Sequence, residues 1–502
     1  METFDSILYG FQVALTWQNV MFVFIGVLAG TIIGMLPGLG PISAIAVMIP
    51  LSYGMDPASA LILMAGVYYG AIFGGSTSSI LLNAPGIAST VATTFDGYPL
   101  AQQGKAGKAL AIAALSSFVG GTVATIGLML VAPQLARVAI TFGPTEYFAL
   151  MLLGLTAIAS LSEGSTIKAF ISATVGIMVA TIGIDGQTGT QRFTFGNAKL
   201  FDGIDFLVIA LGLFALAEVT SLIITRKESL FKSGSSIGSL RITKAEAKAM
   251  AGPVSRQSVF GFFVGVLPGA GATIASFLAY FFEKRIAKNP DSFGKGNVVG
   301  VAAPESANNA AAGGSFVPLL TLGIPGSGTT AIMLGALLVV GVQPGPMLLN
   351  DHPDIFWGVI ASMYIGNVML LVLNLPLIPY IAKILYIPKG MLISLILIFC
   401  LVGVYGVSFS QFDLYVLIIF GVIGYAMRLL SFPAAPFILA FILGGMMEQS
   451  FRQALTISDG SLLIFMQRPI SGTLIVVALA SLLIPVLIRK YIIRKNRMKG
   501  VL

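Results

Sequence analysis

Residues 33–40 read Ile-Gly-Met-Leu-Pro-Gly-Leu-Gly, and residues 264–271 read Val-Gly-Val-Leu-Pro-Gly-Ala-Gly. Each copy lies inside apolar sequence, so each Leu-Pro-Gly interrupts what would otherwise be a continuous hydrophobic helix. A repeated interruption at corresponding positions indicates an internal duplication. In membrane transporters, paired breaks of this kind indicate the substrate site, because discontinuous helices meet near the bilayer midplane.

A second pair of segments follows the two copies in the same order. Gly-Gly-Ser at residues 74–76 precedes Ala-Pro-Gly at 84–86, and Gly-Gly-Ser at 313–315 precedes Ile-Pro-Gly at 324–326. Glycine and proline can also simply kink packed membrane helices. The repetition of the whole order favours functional breaks. We predict a first repeat over residues 1–225, a basic linker over 226–256, and a second repeat with C-terminal helices and a basic tail over 257–502.

The composition indicates a membrane protein. Of 502 residues, 56% are hydrophobic and only 10% are charged, and the mean hydropathy is +0.95. A soluble globule needs more polar surface than this. Apolar runs close to the roughly 20 residues that span a bilayer predict an all-α polytopic protein with about ten to fourteen membrane-embedded segments. Barrel strands would alternate in short stretches instead. The clearer runs are 109–131, 148–161, 206–224, 356–380, 391–407, 414–426 and 473–488.

The charge distribution predicts the topology. The net charge of +8 comes largely from lysines and arginines between Arg226 and Arg256 and after Pro485. This distribution indicates a cytoplasmic linker and a cytoplasmic C-terminus by the positive-inside rule, and does not indicate nucleic-acid binding. Contact with anionic lipid headgroups is an alternative use of the same clusters. The N-terminus has no basic residue ahead of its apolar sequence, so we expect no cleaved signal peptide.

The two broken segments differ in their flanking charges. Residues 259–282 have basic residues at both ends, so we expect a re-entrant hairpin that enters and leaves on the cytoplasmic side. Residues 22–57 have no basic cluster after them, and we expect that hairpin to enter from the outer side. The halves would then be inverted repeats. Lys105 and Lys108 fit either side of the membrane.

The breaks provide the chemistry of helix ends. Pro41 suits the first position of a new helix, whose N-terminal N–H groups and partial positive charge bind anions. Carbonyl groups before a break can coordinate a small hard cation. We therefore predict that substrate binds at Pro37, Gly38, Leu39, Gly40, Pro268, Gly269, Ala270 and Gly271. Carbonyls at Gly38, Gly40, Gly269 and Gly271 are the predicted sodium ligands.

Hydroxyl and amide side chains near the breaks extend this predicted site, since neutral donors can replace the hydration of carboxylates. They are Ser76, Thr77, Ser78, Asn83, Asn308, Asn309, Ser327 and Thr329. Small residues also mediate helix packing, which is the alternative reading of any single serine. Glu305 is the one acid within these motifs. It either binds the coupling cation or proton, or caps a helix after Pro304.

Cys400 and His352 are the only cysteine and the only histidine. We expect Cys400 to be a buried hydrophobic side chain, and the usual catalytic metal sites are excluded. An intramembrane serine hydrolase that pairs Ser76 or a neighbouring serine with His352 is a weak alternative. The chain shows no orienting third group and no Gly-x-Ser-x-Gly elbow there. It also has no GxxxxGK[ST] sequence for using ATP.

Motifs along nearly the whole chain resemble the TctA family, the large membrane subunits of bacterial tripartite tricarboxylate transporters. These motifs are Gly-Met-Leu-Pro-Gly-Leu-Gly at 34–40, Tyr-Gly-Ala-Ile-Phe-Gly-Gly-Ser at 69–76, Gly-Pro-Thr-Glu-Tyr at 143–147, Arg-Phe-Thr-Phe-Gly at 192–196, Pro-Glu-Ser-Ala-Asn-Asn-Ala at 304–310 and Phe-Pro-Ala-Ala-Pro at 432–436.

The resemblance implies a secondary transporter of the bacterial inner membrane that imports tricarboxylates or related carboxylates by symport with Na⁺ or H⁺ and with no other cofactor. It implies a small membrane subunit similar to TctB, a periplasmic solute-binding protein similar to TctC, and an elevator-like movement. Importing a trianion against 100 mV costs roughly 7 kcal/mol, at about 2.3 kcal/mol per charge, so co-transported cations are needed. A passive organic-anion channel stays open as the alternative; an enzyme is not expected.

Overall fold

The computed structural model describes residues 2–36, 39–161, 165–224, 237–269, 271–383 and 389–481. Three predicted site residues, Pro37, Gly38 and Ala270, lie outside these ranges, as do residues 225–236 of the linker and the basic tail. The described chain is almost entirely α-helical, and the paired strands it contains are two residues each. The predicted all-α class is therefore confirmed.

Long apolar helices confirm a multi-pass membrane protein. Within the described ranges, 7 helices are long and apolar enough to cross a bilayer: Trp17–Met35, Pro57–Leu82, Ala88–Ala139, Phe206–Ile224, Pro353–Asn374, Gln411–Leu429 and Ala434–Ile457. Shorter apolar helices are Pro41–Ser52, Thr166–Ala180, Gly328–Val339, Ile393–Ser408 and Pro469–Ser481. The predicted number of ten to fourteen embedded segments stays a prediction, since length alone does not place the shorter helices in the membrane.

The chain forms two compact units. Unit 1 comprises Met1–Ala139 and Asp205–Ala426, and unit 2 comprises Ile140–Ile204 and Met427–Leu502. Both broken segments belong to unit 1. The boundaries at residues 225 and 257 concern the sequence repeat and stay a prediction.

The first part of unit 1 contains the first break. Its helices are α1 (Glu2–Ala14), α2 (Trp17–Met35), α3 (Pro41–Ser52), α4 (Pro57–Leu82), α5 (Val91–Leu100) and α6 (Ala106–Ala139). A 3₁₀ turn at Ala88–Thr90 precedes α5, and a π-helical turn at Ala101–Lys105 joins α5 to α6. Pro41 begins a helix, as predicted, with Gly40 at its N-cap.

Unit 2 begins with a helical pair and a short hairpin. Its first elements are α7 (Pro144–Leu161), α8 (Thr166–Ala180), β1 (Gly183–Ile184) and β2 (Gln191–Arg192). The strands are antiparallel, with Gly183 opposite Arg192 and Ile184 opposite Gln191. A 3₁₀ turn at Ala198–Leu200 follows. Helices α7 and α8 pack together.

The second part of unit 1 contains the second break. Its helices are α9 (Phe206–Ala210), α10 (Ala217–Ile224), α11 (Lys244–Val266), α12 (Gly271–Ile286), α13 (Val298–Gly314), α14 (Phe316–Leu322), α15 (Gly328–Val339), α16 (Leu348–Asp351), α17 (Pro353–Asn374), α18 (Ile378–Ile381), α19 (Lys389–Ser408) and α20 (Gln411–Leu429). A π-helical stretch, Leu211–Leu216, connects α9 to α10, and Pro290–Ser292 is a 3₁₀ turn.

The last helices belong to unit 2. They are α21 (Ala434–Ile457), α22 (Ile464–Gln467) and α23 (Pro469–Ser481). Helix α21 packs against α7 and α8. Phe148, Phe451 and Phe465 form an aromatic cluster between α7, α21 and α22, with ring centroids 4.8–5.6 Å apart.

Glycines allow close helix packing at equivalent places in the two halves of unit 1. Helix α2 packs on α4, and α11 packs on α13. A Cβ atom added at Gly34 would overlap the backbone of Ala71 in α4, and one added at Gly265 would overlap the backbone of Ala311 in α13. Only glycine lets these backbones approach so closely. The first glycine of each break motif therefore holds its helix against the next long helix of the same half.

Each proline-glycine segment packs against the break motif of its own half. A Cβ atom at Gly86 would overlap the carbonyl oxygen of Gly34, and one at Gly326 would lie 3.0 Å from the carbonyl oxygen of Gly265. Gly34 and Gly265 are the corresponding positions of the two motifs. The sequence duplication thus has a counterpart in tertiary contacts.

In each half, the helix that follows the break packs against the element that follows the proline-glycine segment of the other half. The helix after the first break, α3, packs against α15, which follows the second proline-glycine segment. The helix after the second break, α12, packs against the 3₁₀ turn Ala88–Thr90, which follows the first proline-glycine segment. Helix α13 packs against α4, α5 and α6. An inverted orientation of the repeats stays a prediction.

Candidate functional site

Glu305 lies at the centre of a polar cluster in unit 1. It is fully buried in the middle of α13. Ser76 of α4 donates to Oε2 at 2.7 Å and Ser117 of α6 to the same oxygen at 3.0 Å, while Thr93 of α5 donates to Oε1 at 2.5 Å. The helix continues on both sides of Glu305. The alternative prediction that Glu305 caps a helix is therefore wrong.

The carboxylate of Glu305 is held by neutral groups. Within the described ranges, its side chain forms hydrogen bonds with three hydroxyl groups and no ion pair with a lysine, arginine or histidine. A buried negative charge without a basic partner is costly. A proton or a small cation can neutralise it, because its hydroxyl neighbours can accept as well as donate. The coupling role of Glu305 stays a prediction.

A small cavity lies beside this cluster. It has a volume of about 10 Å³ and is lined by Ser76, Thr77, Ser117 and Asn374 together with apolar side chains. Asn374 Oδ1 is buried and has no hydrogen-bond partner among the described residues. A cavity of this size is about that of a single water molecule. Its lining supplies the oxygen ligands that a hard cation prefers.

Asn308 is the most conspicuous unpaired group in unit 1. It is fully buried in α13, three residues after Glu305, and neither Oδ1 nor Nδ2 has a hydrogen-bond partner among the described residues. The neighbouring Asn309 donates from Nδ2 to the backbone oxygen of Glu305 at 3.0 Å, and its Oδ1 is unpaired in the same sense. Each such buried atom costs about 1–3 kcal/mol. These amides are therefore suited to a ligand that supplies their hydrogen bonds.

Aromatic side chains extend this region between the halves. Tyr69 of α4 stacks on Phe316 of α14 with ring centroids 5.9 Å apart. Its buried hydroxyl group has no hydrogen-bond partner within the described part of the chain. The neighbouring Tyr68 places its hydroxyl oxygen 3.5 Å from Ser327 Oγ. A helix of the first half thus contacts the N-cap of α15, which follows the second proline-glycine segment.

Ser327 and Thr329 lie at the beginning of α15. Ser327 is the N-cap and forms a capping box with Thr330. Thr329 is buried in the first turn. The capping box fixes this helix end, and the partial positive charge there favours an anion.

Three further predicted site residues, Thr77, Ser78 and Asn83, lie in α4 or at its C-terminal end. Thr77 is buried and lines the small cavity. Ser78 is fully buried but donates to the backbone oxygen of Gly75 in its own helix at 3.2 Å. Asn83 is exposed and ends α4 in a left-handed conformation. Ser78 and Asn83 are not among the residues that hydrogen-bond to Glu305.

The described parts of the two breaks are packed against their own halves. Leu39 is buried, and the carbonyl group of Gly40 accepts the first hydrogen bond of α3 from Ala44 at 3.1 Å. Pro268 is half-buried, Gly269 donates its N–H to the carbonyl oxygen of Gly326 at 3.0 Å, and Gly271 begins α12 with a φ of +60°. The described contacts do not bring the two breaks together, so a ligand shared by both stays a prediction.

Sequence reasoning missed Tyr69, Thr93, Ser117 and Asp96. Asp96 is buried on α5, three residues after Thr93. Its Oδ1 accepts the backbone N–H groups of Gly294, Gly296 and Asn297 at 2.7–2.9 Å. It thereby ties α5 to the loop before α13. Asp96 therefore positions the helices that carry Thr93 and Glu305. A polar run within apolar sequence was the pattern that could have identified Asp96.

His352 and Cys400 take no part in this cluster. His352 is exposed and precedes α17, while Ser76 donates its hydroxyl hydrogen to Glu305. The weak hydrolase alternative therefore has no geometric support here. Cys400 is buried, as predicted.

One family model and two relatives match this chain. A family model described as "Tripartite tricarboxylate transporter TctA family" matches residues 20–439. An uncharacterized 52.8 kDa protein in the TAR-I ttuC' 3'region of Agrobacterium vitis is 44% identical over 488 residues, which is 97% of each chain. An uncharacterized protein in the TAR-II ttuC' 3'region of the same organism is 45% identical over 227 residues, covering 45% of this chain and 94% of that protein. No solved structure matches.

Proposed function

Because the chain belongs to the tripartite tricarboxylate transporter TctA family, a family of transporters and not of enzymes, we propose that it is the large membrane subunit of a cation-coupled carboxylate importer. The observation that carries this proposal is that one helix carries both a hydroxyl-bound Glu305 and a buried Asn308 whose side chain has no hydrogen-bond partner among the described residues. The first can receive an anion and the second a cation. A symporter needs a site for each of the two ions.

The carboxylate site combines neutral donors from both halves. Asn308 and Asn309 supply amide groups, and Tyr69 supplies a hydroxyl group. The capped N-terminus of α15 adds Ser327 and Thr329. Amide and hydroxyl groups replace the water around a carboxylate without fixing its net charge. This donor set suits di- and tricarboxylates, and the helix end provides a second anchor for a second carboxylate.

The coupling cation neutralises Glu305. A trianion entering a negative cell interior costs roughly 7 kcal/mol per 100 mV before any concentration gradient. Protonation of Glu305, or a Na⁺ ion in the cavity lined by Ser76, Ser117 and Asn374, offsets about 2.3 kcal/mol of this cost per 100 mV, so full compensation requires further co-transported cations. Because α4, α5 and α6 all contribute to the Glu305 cluster, cation binding alters the packing between the halves. Alternating access then follows from an elevator-like movement of inverted hairpins.

The proposal includes the setting in the cell. The subunit lies in the bacterial inner membrane with its basic linker and C-terminus in the cytoplasm, as their positive charge favours. It works with a small membrane subunit similar to TctB and a periplasmic solute-binding protein similar to TctC. No nucleic acid takes part.

Reconstitution tests this function. The chain and its two partners are placed in proteoliposomes, and uptake of radiolabelled citrate is followed under separate Na⁺ and pH gradients. A symporter accumulates citrate above its outside concentration under at least one gradient. A passive anion channel only equilibrates citrate under either gradient, and that result would replace the proposal with the channel.

A further inference from the structure

Unit 2 contains a charged cavity that the proposed transport site does not use. Its volume is about 350 Å³, within the range of roughly 300–1,000 Å³ that is usual for small-molecule sites. The polar side chains that line it are Thr181, Asp185, Gln187, Arg192, Glu448, Gln449 and Arg452. Thr181 is the C-cap of α8, and the others belong to the β-hairpin region or to α21.

The carboxylate of Glu448 lies between two guanidinium groups. Its Oε1 is 3.0 Å from Arg192 Nη2 and 2.6 Å from Arg452 Nη2, and its Oε2 accepts from Arg192 Nη1 at 3.0 Å. Two parallel N–H···O bonds of this kind are the usual arginine mode for binding a carboxylate. The two arginines of the cavity therefore already bind a carboxylate, which is that of Glu448.

Asp185 and Glu448 differ in how firmly they are held. The Asp185 side chain is 6% exposed, contacts both arginines and also accepts the backbone N–H groups of Gln187 and Thr188. The Glu448 side chain is 34% exposed, and its carboxylate hydrogen-bonds to the two arginines. These contacts hold the Asp185 side chain in place in the lining of the cavity. Glu448 can move away and leave its place to another carboxylate without loss of the arginine hydrogen bonds.

The cavity is expected to open on the outer side of the membrane. The apolar span Phe206–Ile224 separates the hairpin from the basic linker. Helix Pro469–Ser481 separates the far end of α21 from the basic C-terminal tail. Both basic segments are predicted to be cytoplasmic. The contact of Arg192 with Glu448 requires the hairpin and this end of α21 to share one side. The span Phe206–Ile224 gives the outer side, and the predicted apolar run 473–488 agrees with it.

We propose that this cavity is a second carboxylate-binding site, in which Arg192 and Arg452 hold a di- or tricarboxylate after it displaces Glu448. The inference rests on the proposed transport function, because it assigns a receiving site for the same substrate class on the outer face. Gln187 and Gln449 supply amide groups for the rest of the substrate. The hydrogen bonds that Arg192 donates to Glu448 raise the pKa of the Arg192 guanidinium group above its ordinary value.

The test uses the purified full chain and measures citrate binding by isothermal titration calorimetry. All variants carry Asn308→Leu, so that the binding measured reports the cavity in unit 2 and not the site near Glu305. Glu448→Gln removes the competing internal carboxylate and is expected to strengthen citrate binding about two- to fivefold, the range for a partly exposed ion pair. Arg452→Gln removes a charged donor and is expected to weaken binding at least about tenfold.

These opposite signs distinguish a ligand site from a structural ion network. In a merely structural network, both substitutions would lower thermal stability and neither would strengthen citrate binding. Arg468→Gln is the matched control, since Arg468 pairs with Glu146 at 3.3 Å in unit 2 and does not line the cavity. Its citrate affinity is expected to equal that of the parent chain.

Equal citrate affinity in all variants, absence of citrate binding in the Asn308→Leu chain, or weaker binding in Glu448→Gln overturns the proposal. Failure of the transport function is separately visible. It would appear as proteoliposomes with wild-type chain that do not accumulate citrate, whatever the calorimetric result for the cavity.

Discussion

Thr93 donates a hydrogen bond of 2.5 Å to Glu305 and thereby joins the two predicted repeats through a fully buried carboxylate. Ser76 and Ser117, which also precede the linker in sequence, bind the same carboxylate. The acid comes from the second repeat and its hydroxyl partners come from the first. The state of this one carboxylate is therefore linked to the packing between the repeats.

Replacing Glu305 with glutamine tests the coupling role. Glu305→Gln keeps the size of the side chain but removes the charge that a cation or proton neutralises. We expect gradient-driven citrate accumulation to fall by at least about tenfold, while exchange of external for internal citrate continues. Uptake and counterflow are measured in the same proteoliposomes.

Glu283→Gln is the matched control for that experiment. Glu283 is also buried, but Arg256 binds it at 2.7 Å and Gln257 donates to it at 2.6 Å. This variant is expected to lower thermal stability and leave the gradient dependence of uptake unchanged. Full gradient-driven accumulation by Glu305→Gln would contradict the coupling role.

Replacing Asn308 separates function from stability. Asn308→Leu keeps the branched shape and the four heavy atoms of the side chain but removes two buried polar atoms that have no partner among the described residues. Because such atoms cost about 1–3 kcal/mol each, the ligand-free variant is expected to be at least as stable as the wild type. Citrate uptake is expected to be lost. Thermal unfolding in detergent and uptake in proteoliposomes measure the two effects.

Asn19→Leu provides the comparison for Asn308. Asn19 is a buried asparagine of α2 with satisfied polar atoms: Nδ2 donates to Val13 O at 2.8 Å and Oδ1 accepts from Ser59 at 2.6 Å. Its substitution should destabilise the chain by about 1–3 kcal/mol, because Ser59 loses its acceptor. If Asn308→Leu transports citrate normally, Asn308 does not belong to the substrate site.

We predict that replacing either of the corresponding glycines of the two breaks with alanine lowers thermal stability to a similar extent. Gly34→Ala and Gly265→Ala each add a methyl group where the backbone of Ala71 or Ala311 lies. Overpacking of this kind costs about 1–3 kcal/mol, so we expect both variants to unfold at lower temperature. Gly252→Ala in α11 adds its methyl group in open space and should be neutral or stabilising. A wild-type melting temperature for either break variant would show that the close approach is not required.

Cysteine labelling tests the side on which the unit 2 cavity opens. Gln187→Cys in a Cys400→Ala background places a single exposed thiol at the cavity. A membrane-impermeant maleimide added from the periplasmic side is expected to label it. Lys248→Cys, exposed on the part of α11 that belongs to the basic linker, is expected to react only after the membrane is opened. Labelling with the reverse pattern would invert the predicted topology.

Local sequence was sufficient to locate the breaks but not the partners of Glu305. Proline and glycine act on their own backbone, so Pro41 could be predicted as the first residue of a helix, and α3 begins there. Thr93 and Ser117 could not be identified as Glu305 partners in the same way. Their hydroxyl groups resemble those of any threonine or serine in a membrane helix until α5, α6 and α13 pack together.

The sequence alone determined the membrane setting, the helical class, the family resemblance and the duplicated order of breaks, because hydropathy and backbone restriction are properties of residues and their immediate neighbours. Tertiary structure decided that Glu305 is bound by three hydroxyl groups, that Asn308 has no hydrogen-bond partner in the described part of the chain, and that Arg192 and Arg452 share a cavity with Glu448. The hydrogen bonds among these residues join positions up to 256 apart. A hydrogen bond acts only over about 3 Å, so it forms only after the helices have packed.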